Sequence, residues 1–139
     1  MQVFIDTNIV TDVFLHRDGW EASQAAIEWC LPPGRCAWLS WPTVATLAYL
    51  LESRGYGPRD IEAKMEVVLG WCSIVGAPEA TLRTAIDFHF DDFEDAMQAA
   101  FAESCGAEAI VTRNVTDFAS SPVPAMTPED FLARFAREL

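Results

Sequence analysis

Short apolar segments alternate along this chain with segments that carry the apolar face of an amphipathic helix. The candidate strands are VFI, AWLS, CSIVG and AIVT, at residues 3–5, 37–40, 72–76 and 109–112. Alternation of this kind is typical of a parallel sheet covered by helices on both faces. We therefore predict an α/β fold, a three-layer α/β/α sandwich around a central, mostly parallel sheet.

Local signals mark where several helices begin. Pro42 and Pro58 suit the first turn of a helix, where the missing N–H does no harm. Thr127, followed by Pro128 and Glu129, starts a terminal helix. Asn8 is expected to cap the helix that follows the first strand.

Length and hydropathy predict one domain spanning residues 1–139. The longest uncharged stretch, at residues 36–51, contains Pro42 and falls short of the roughly 20 residues that cross a bilayer. The opening MQVFID lacks the basic start of a secretory signal. A cytoplasmic location without membrane association is therefore expected.

The charge balance opposes non-specific binding to nucleic acid. Lys and Arg total 9 against 21 Asp and Glu, a formal net charge of −12. A nucleic-acid substrate held in a local cleft remains compatible with this balance, because several arginines could still line one surface.

Most catalytic classes lack their local signature. Four cysteines without a CxxC pair predict reduced thiols, and the two histidines, His16 and His89, lack zinc-site spacing. No GxSxG elbow, Walker loop or GxGxxG sequence is present. Carboxylates are the remaining candidates for chemistry.

Four aspartates occupy positions where an α/β protein gathers its ligands. Asp6 ends the first strand, Asp92 and Asp95 open a helix, and Asp117 follows a later strand. Side chains at the carboxyl ends of parallel strands share one edge of the sheet, and clustered carboxylates need a cation, best Mg²⁺ or Mn²⁺. Helix capping is the alternative for Asp6 and for Asp92, and Asp117 alone is compatible with an ordinary loop.

Three segments resemble the PIN domain family, particularly its VapC-like bacterial members: FIDTN, DFEDAMQAAFAESCGAEAIVTRNVTDF and MTPEDFL. The resemblance implies an α/β/α fold and an Mg²⁺- or Mn²⁺-dependent ribonuclease, in many members a toxin neutralised by an antitoxin protein. It implies that Asp6, Asp95 and Asp117 hold the metal and are catalytic. The supporting polar positions are Asn8, Asp92, Thr112, Arg113 and Asn114, with Arg113 expected to contact a phosphate oxygen.

The chain departs from the family pattern at Thr46. A further acid, usually Glu, is expected there, on the helix after the second strand, and Glu52 lies about 240° further around that helix. The leading hypothesis is a toxin-type endoribonuclease acting on RNA with an antitoxin partner. The alternatives are a weakened PIN-fold module that binds RNA or a protein, and a phosphatase with Asp6 as nucleophile, which would need an acid where Asn8 stands. The RNA target and the oligomeric state, a homodimer included, stay open.

Overall fold

The computed structural model describes residues 1–136, whose elements confirm the predicted α/β/α architecture. The strands are β1 (Gln2–Ile5), β2 (Cys36–Ser40), β3 (Cys72–Val75), β4 (Ala109–Val111) and β5 (Ala125–Met126). The helices are α1 (Thr7–Leu15), α2 (Trp20–Trp29), α3 (Trp41–Ser53), α4 (Pro58–Trp71), α5 (Glu79–Phe88), α6 (Phe93–Ser104) and α7 (Pro128–Phe135), with a short 3-10 helix at Val115–Phe118.

All strand pairs in the sheet are parallel, in the order β3-β2-β1-β4-β5. The central strand β1 is apolar throughout and its residues Val3, Phe4 and Ile5 are fully buried, as expected for a strand covered on both faces. Val3 and Ile5 pack against α1, α2, α3, α4 and α7, whereas Phe4 packs on the opposite face against α6. Different helices therefore cover the two faces of the sheet.

The sheet brings polar residues to one edge. Asp6 follows β1, Ser40 ends β2 and Thr112 follows β4, and these three strands are neighbours. Because all three run in the same direction, their carboxyl ends lie together. Helix α6 begins near this edge and adds its own first-turn carboxylates.

Two local expectations needed correction. The cap of α1 is Asp6, not Asn8, which is the second residue of the helix. Strand β5 was not predicted, because a strand of two residues is too short to show an alternating hydrophobic pattern. It is recognised only from its pairing with β4, in which Ala125 lies opposite Ile110. Thr127, by contrast, caps α7 as expected, accepting from the N–H of Asp130 at 3.1 Å.

The cysteines are free thiols, of which Cys30 and Cys72 are buried and Cys36 and Cys105 are half-buried. All four are free, and burial raises the pKa of Cys30 and of Cys72 to about 12. Within residues 1–136, no helix combines the length and the apolar character needed to cross a bilayer.

Candidate active site: an acidic cleft at the carboxyl edge of the sheet

Asp6 is a buried carboxylate held by three donors. It is 5% exposed. Its Oδ1 accepts from the Thr7 N–H at 2.8 Å and from Gln98 Nε2 at 3.1 Å, and its Oδ2 accepts from the Thr112 hydroxyl at 2.7 Å. The Thr112 hydroxyl in turn accepts from the N–H of Asn114 at 3.0 Å. Thr112 therefore contacts Asp6 directly, whereas Asn114 is connected to Asp6 only through Thr112 and by its backbone N–H.

Asp92 and Asp95 have different roles at the start of α6. Asp92 is the cap, and its Oδ1 accepts from the Asp95 N–H at 3.1 Å, as its position in the sequence indicated. Asp95 is half-buried, and burial raises its pKa to about 6, with further contributions from the charges of Asp92, Asp6 and Asp117. The charges of the other three aspartates therefore act on Asp95.

Asp117 lies across a cleft from these helix residues. It is exposed, on the 3-10 helix after β4. It shares with Asp92 and Asp95 a cavity of about 260 Å³, which is lined by Phe88, His89, Phe90, Asp91, Asp92, Asp95, Thr116, Asp117, Ala119 and Ser120. No lysine or arginine is among these lining residues, so the cleft is strongly negative and His89 is its sole basic side chain.

The donor set suits a hard divalent cation. Oxygen donors are the ligands that Mg²⁺ and Mn²⁺ prefer, and burial together with the neighbouring carboxylates raises the pKa of Asp95, an effect that a bound cation would oppose. Within the described part of the chain, no three His, Cys, Asp or Glu side chains are close enough to enclose an ion as they stand. Carboxylates spread around a cleft fit an ion that keeps several of its waters.

Thr46, on α3, lies on the side of that helix that faces the site. Thr43 is buried one turn earlier on the same face, and its hydroxyl is 2.7 Å from that of Thr7, next to Asp6. Thr46 itself is half-buried. Thr46 therefore lies one turn after a residue that contacts the neighbour of Asp6, it is not among the residues that line the cleft, and α3 supplies no acid at this position.

Arg113 is engaged inside the protein instead of facing the cleft. Its Nε donates to Asp12 at 3.2 Å, its Nη1 to both carboxylate oxygens of Glu129 at 3.0 Å, and its Nη2 to the Gly19 carbonyl at 2.8 Å and to the Ser23 hydroxyl at 3.3 Å. These contacts use all the donors of a guanidinium. Arg113 was expected to contact a phosphate, and in the structure its side chain connects α1, the turn before α2, and α7.

Two neighbours of Arg113 depend on this link. Burial raises the pKa of Asp12, and the guanidinium opposes that rise by pairing with it. Gly19 has φ +84, and a Cβ there would lie 2.6 Å from Arg113 Nη2. A side chain at residue 19 would therefore both strain the backbone and displace the arginine. Asn8 joins the same region, because its Oδ1 accepts from the Arg113 N–H at 3.3 Å.

Two functional neighbours were missed from the sequence, Asp12 and Gln98. Asp12 is 5% exposed within the apolar run of α1, and Gln98 is 3% exposed between alanines of α6. The available signal in each case was a polar residue on an otherwise apolar helix face. Such a residue must find a hydrogen-bond partner inside the protein.

A larger cavity, of about 750 Å³, lies away from the four aspartates. It is bounded by α1, α2, α4 and the turn before α4, and its lining includes Phe14, Tyr56 and Trp71. We place the candidate site at the smaller cleft because Asp92, Asp95 and Asp117 line it and the charge of Asp6, at the end of β1, acts on Asp95.

Solved structures with the same fold include a toxin-antitoxin complex and a toxin. A toxin-antitoxin complex from Klebsiella pneumoniae is 23% identical, with a TM-score of 0.70 over 91% of this chain and 97% of that chain. VapBC2 from Rickettsia felis, bound to a promoter DNA fragment, is 17% identical, with a TM-score of 0.71 over 91% and 98%. VapC20 of Mycobacterium tuberculosis, a toxin that cleaves the sarcin-ricin loop, is 19% identical, with a TM-score of 0.56 over 78% and 86%.

These similarities show the fold. The comparison with curated protein sequences gives no match. The family model described as the PIN domain matches residues 2–116, which include Asp6, Asp95 and the strands that position them. The chain therefore belongs to the PIN domain family.

Proposed function

We propose that this protein is an endoribonuclease that uses Mg²⁺ or Mn²⁺ to hydrolyse RNA phosphodiester bonds, and that it is the toxin of a toxin–antitoxin pair. The observation that carries the proposal is the gathering of Asp6, Asp92, Asp95 and Asp117 at the carboxyl edge of the parallel sheet. In a PIN domain, such a set of carboxylates is best explained as the ligand set of a nuclease.

The residues of the site would have two kinds of role, metal binding and the positioning of the metal ligands. Asp6, Asp95 and Asp117 would hold the cation, which when bound supplies an activated water and stabilises charge on the phosphate. Thr112 holds the Asp6 carboxylate, and Asp92 fixes the first turn of α6 and with it the position of Asp95. No side chain is required to form a covalent intermediate.

The proposed function implies two binding partners, an RNA substrate and an antitoxin protein. The substrate is RNA, and the toxin complexes among the structural neighbours support an antitoxin protein as the binding partner. We further propose that residues 1–139 form one domain and that the protein acts in the cytoplasm, where it would meet RNA and an antitoxin protein. A neighbouring reading frame for a small DNA-binding protein would favour this assignment.

Cleavage of a structured RNA by the purified protein tests the proposal. We expect cleavage with Mn²⁺ or Mg²⁺, none with excess EDTA, and recovery when Mn²⁺ is restored, because the chain offers carboxylates and no nucleophile signature. Cleavage products are followed on a denaturing gel. Cleavage that persists in EDTA, or its absence with every divalent ion, would contradict the proposal.

A second candidate is a PIN-fold module that binds RNA or a protein and no longer cleaves. Thr46 favours it, because a site with one acid fewer binds a hard cation more weakly. The charge of −12 also favours a protein partner over RNA.

Thr46→Glu separates the two candidates. If Thr46 faces the cation, the added carboxylate should tighten Mn²⁺ binding and raise the melting temperature in Mn²⁺, yet lower it in EDTA, where a like charge has been added without its counter-ion. Ala45→Glu is the matched control, because Ala45 is exposed on the same helix. Equal shifts in Mn²⁺ and EDTA would mean that Thr46 lies outside the site.

A further inference from the structure

Gln98 joins three parts of the site from inside the protein. It lies on α6 and is 3% exposed. Its amide contacts Asp6 and Thr7, where β1 meets α1, and Ser40 and Thr43, where β2 meets α3. A buried amide bonded to two strand ends fixes their relative position.

The orientation of the amide is determined by its partners. Ser40 Oγ donates to Gln98 Oε1 at 2.7 Å. Gln98 Nε2 has two protons for three acceptors, Asp6 Oδ1 at 3.1 Å, Thr7 Oγ1 at 3.2 Å and Thr43 Oγ1 at 3.1 Å, and the charged carboxylate is the strongest acceptor of the three. An ionised carboxylate can only accept hydrogen bonds. The reversed amide would therefore place two acceptors against each other at Asp6, and the observed orientation is the one that satisfies both ends.

The hydroxyl protons then have a single consistent direction. Because Ser40 gives its one proton to Gln98, the 3.1 Å contact between Ser40 and Thr43 requires Thr43 as donor. Thr43 has no second proton, so Thr7 is the donor in the 2.7 Å contact between Thr7 and Thr43. A directed chain of hydrogen bonds thus runs from Thr7 through Thr43, Ser40 and Gln98 to Asp6, and such bonds strengthen one another.

This chain leaves the two oxygens of Asp6 unequal. Within residues 1–136, Oδ1 already accepts from the Thr7 N–H and from Gln98, whereas Oδ2 accepts from the Thr112 hydroxyl alone. A carboxylate oxygen has about two acceptor positions. Only Oδ2 therefore keeps a position for a further partner.

We propose that Gln98 is a positioning residue which, through Ser40 and Thr43, holds Asp6 so that only Oδ2 is offered to the divalent cation. The inference rests on the proposed function, because it assigns Asp6 to a metal site. Gln98 itself touches neither the cation nor the RNA. Partners that orient a metal ligand in this way commonly change metal affinity by about 10- to 100-fold when they are removed.

Mn²⁺ affinity of the full-length protein is the test, measured as the loss of the free Mn²⁺ signal in electron paramagnetic resonance. Gln98→Met keeps the volume and removes the amide, and we expect it to weaken Mn²⁺ binding by about 10-fold or more. Ser40→Ala leaves the amide but removes the donor that orients it, and we expect a smaller loss in the same direction. If Gln98→Met does not fold, Ser40→Ala decides alone.

Ser23→Ala is the matched control, because Ser23 is as fully buried as Ser40 and lies outside the chain of hydrogen bonds. A purely structural role would lower melting temperatures without changing the Mn²⁺ affinity of the folded protein. If wild type binds Mn²⁺ and both test variants bind it with the same affinity, the proposed role of Gln98 is wrong and the proposed function is unaffected. Wild type that binds no Mn²⁺ would overturn both.

A crystal structure with Mn²⁺ bound gives a second, direct outcome. The proposal requires Asp6 to reach the ion through Oδ2 alone, with Gln98 still bonded to Oδ1. An ion bound through Oδ1, or through both oxygens, would overturn it.

Discussion

Asp117→Asn should reduce Mn²⁺-dependent RNA cleavage by about 100-fold or more and leave the melting temperature in EDTA close to that of wild type. The change keeps the side-chain volume and removes one ligand charge, and the lost stabilisation of about 3 kcal/mol in the transition state corresponds to this factor. Asp117 is exposed, so its replacement removes little packing. Initial rates on a structured RNA at saturating Mn²⁺ measure the effect.

Asp117 is a cleaner position for this experiment than Asp6. Asp6 caps α1 and accepts three hydrogen bonds, so Asp6→Asn would disturb the fold as well as the site. Asp18→Asn, at an exposed aspartate in the turn before α2, is the control and should cleave like wild type. An Asp117→Asn variant that retains full cleavage would remove Asp117 from the catalytic set.

Asp95→Asn should make the cation-free protein more stable at neutral pH. Burial and the neighbouring charges raise the pKa of Asp95 from its ordinary value of 3.8 to about 6. The folded state therefore binds the proton more tightly than the unfolded state, and this stabilisation is fully present below pH 3.8 and is lost as the pH rises through about 6. Asparagine cannot ionise, so the variant avoids the loss.

The expected gain over wild type in EDTA is on the order of 1 kcal/mol above pH 6, because solvent screens a half-exposed carboxylate. It should vanish below pH 4, and Asp18→Asn should show no such dependence. In Mn²⁺ the order should reverse, because wild type gains a ligand that the variant lacks. Urea unfolding at pH 4, 5, 6 and 7 checks the difference. A difference that is independent of pH would mean that the pKa of Asp95 is not raised in the folded protein.

Much of the site could be predicted because it depends on strand ends. A strand that ends in a polar residue places that residue at the carboxyl edge whatever the details of packing, and this argument applies to Asp6 and, less directly, to Asp117 beyond the end of β4, whereas Thr112 was expected only from the family resemblance. The capping role of Asp92 also followed from local preference. These features depend on a few neighbouring residues in the sequence.

The features that escaped prediction depend on residues far apart in the chain. Gln98 meets Ser40 across 58 positions and Asp6 across 92, and Arg113 meets Asp12 across 101. From the sequence, Arg113 was expected to contact a phosphate oxygen. In the structure its guanidinium donates to the carboxylates of Asp12 and Glu129. Partners of this kind become visible only when the helices are placed on the sheet.

The central claim, that Asp6, Asp95 and Asp117 form one divalent-cation site, is tested most directly by thermal unfolding during a Mn²⁺ titration. A cation that binds only the folded protein stabilises it by about 2.7 kcal/mol at a hundredfold excess over its dissociation constant. We predict that the melting temperature of wild type rises with Mn²⁺ and that Asp95→Asn and Asp117→Asn lose most of this rise. A wild-type melting temperature unchanged up to millimolar Mn²⁺, or an equal rise in both variants, would contradict the account.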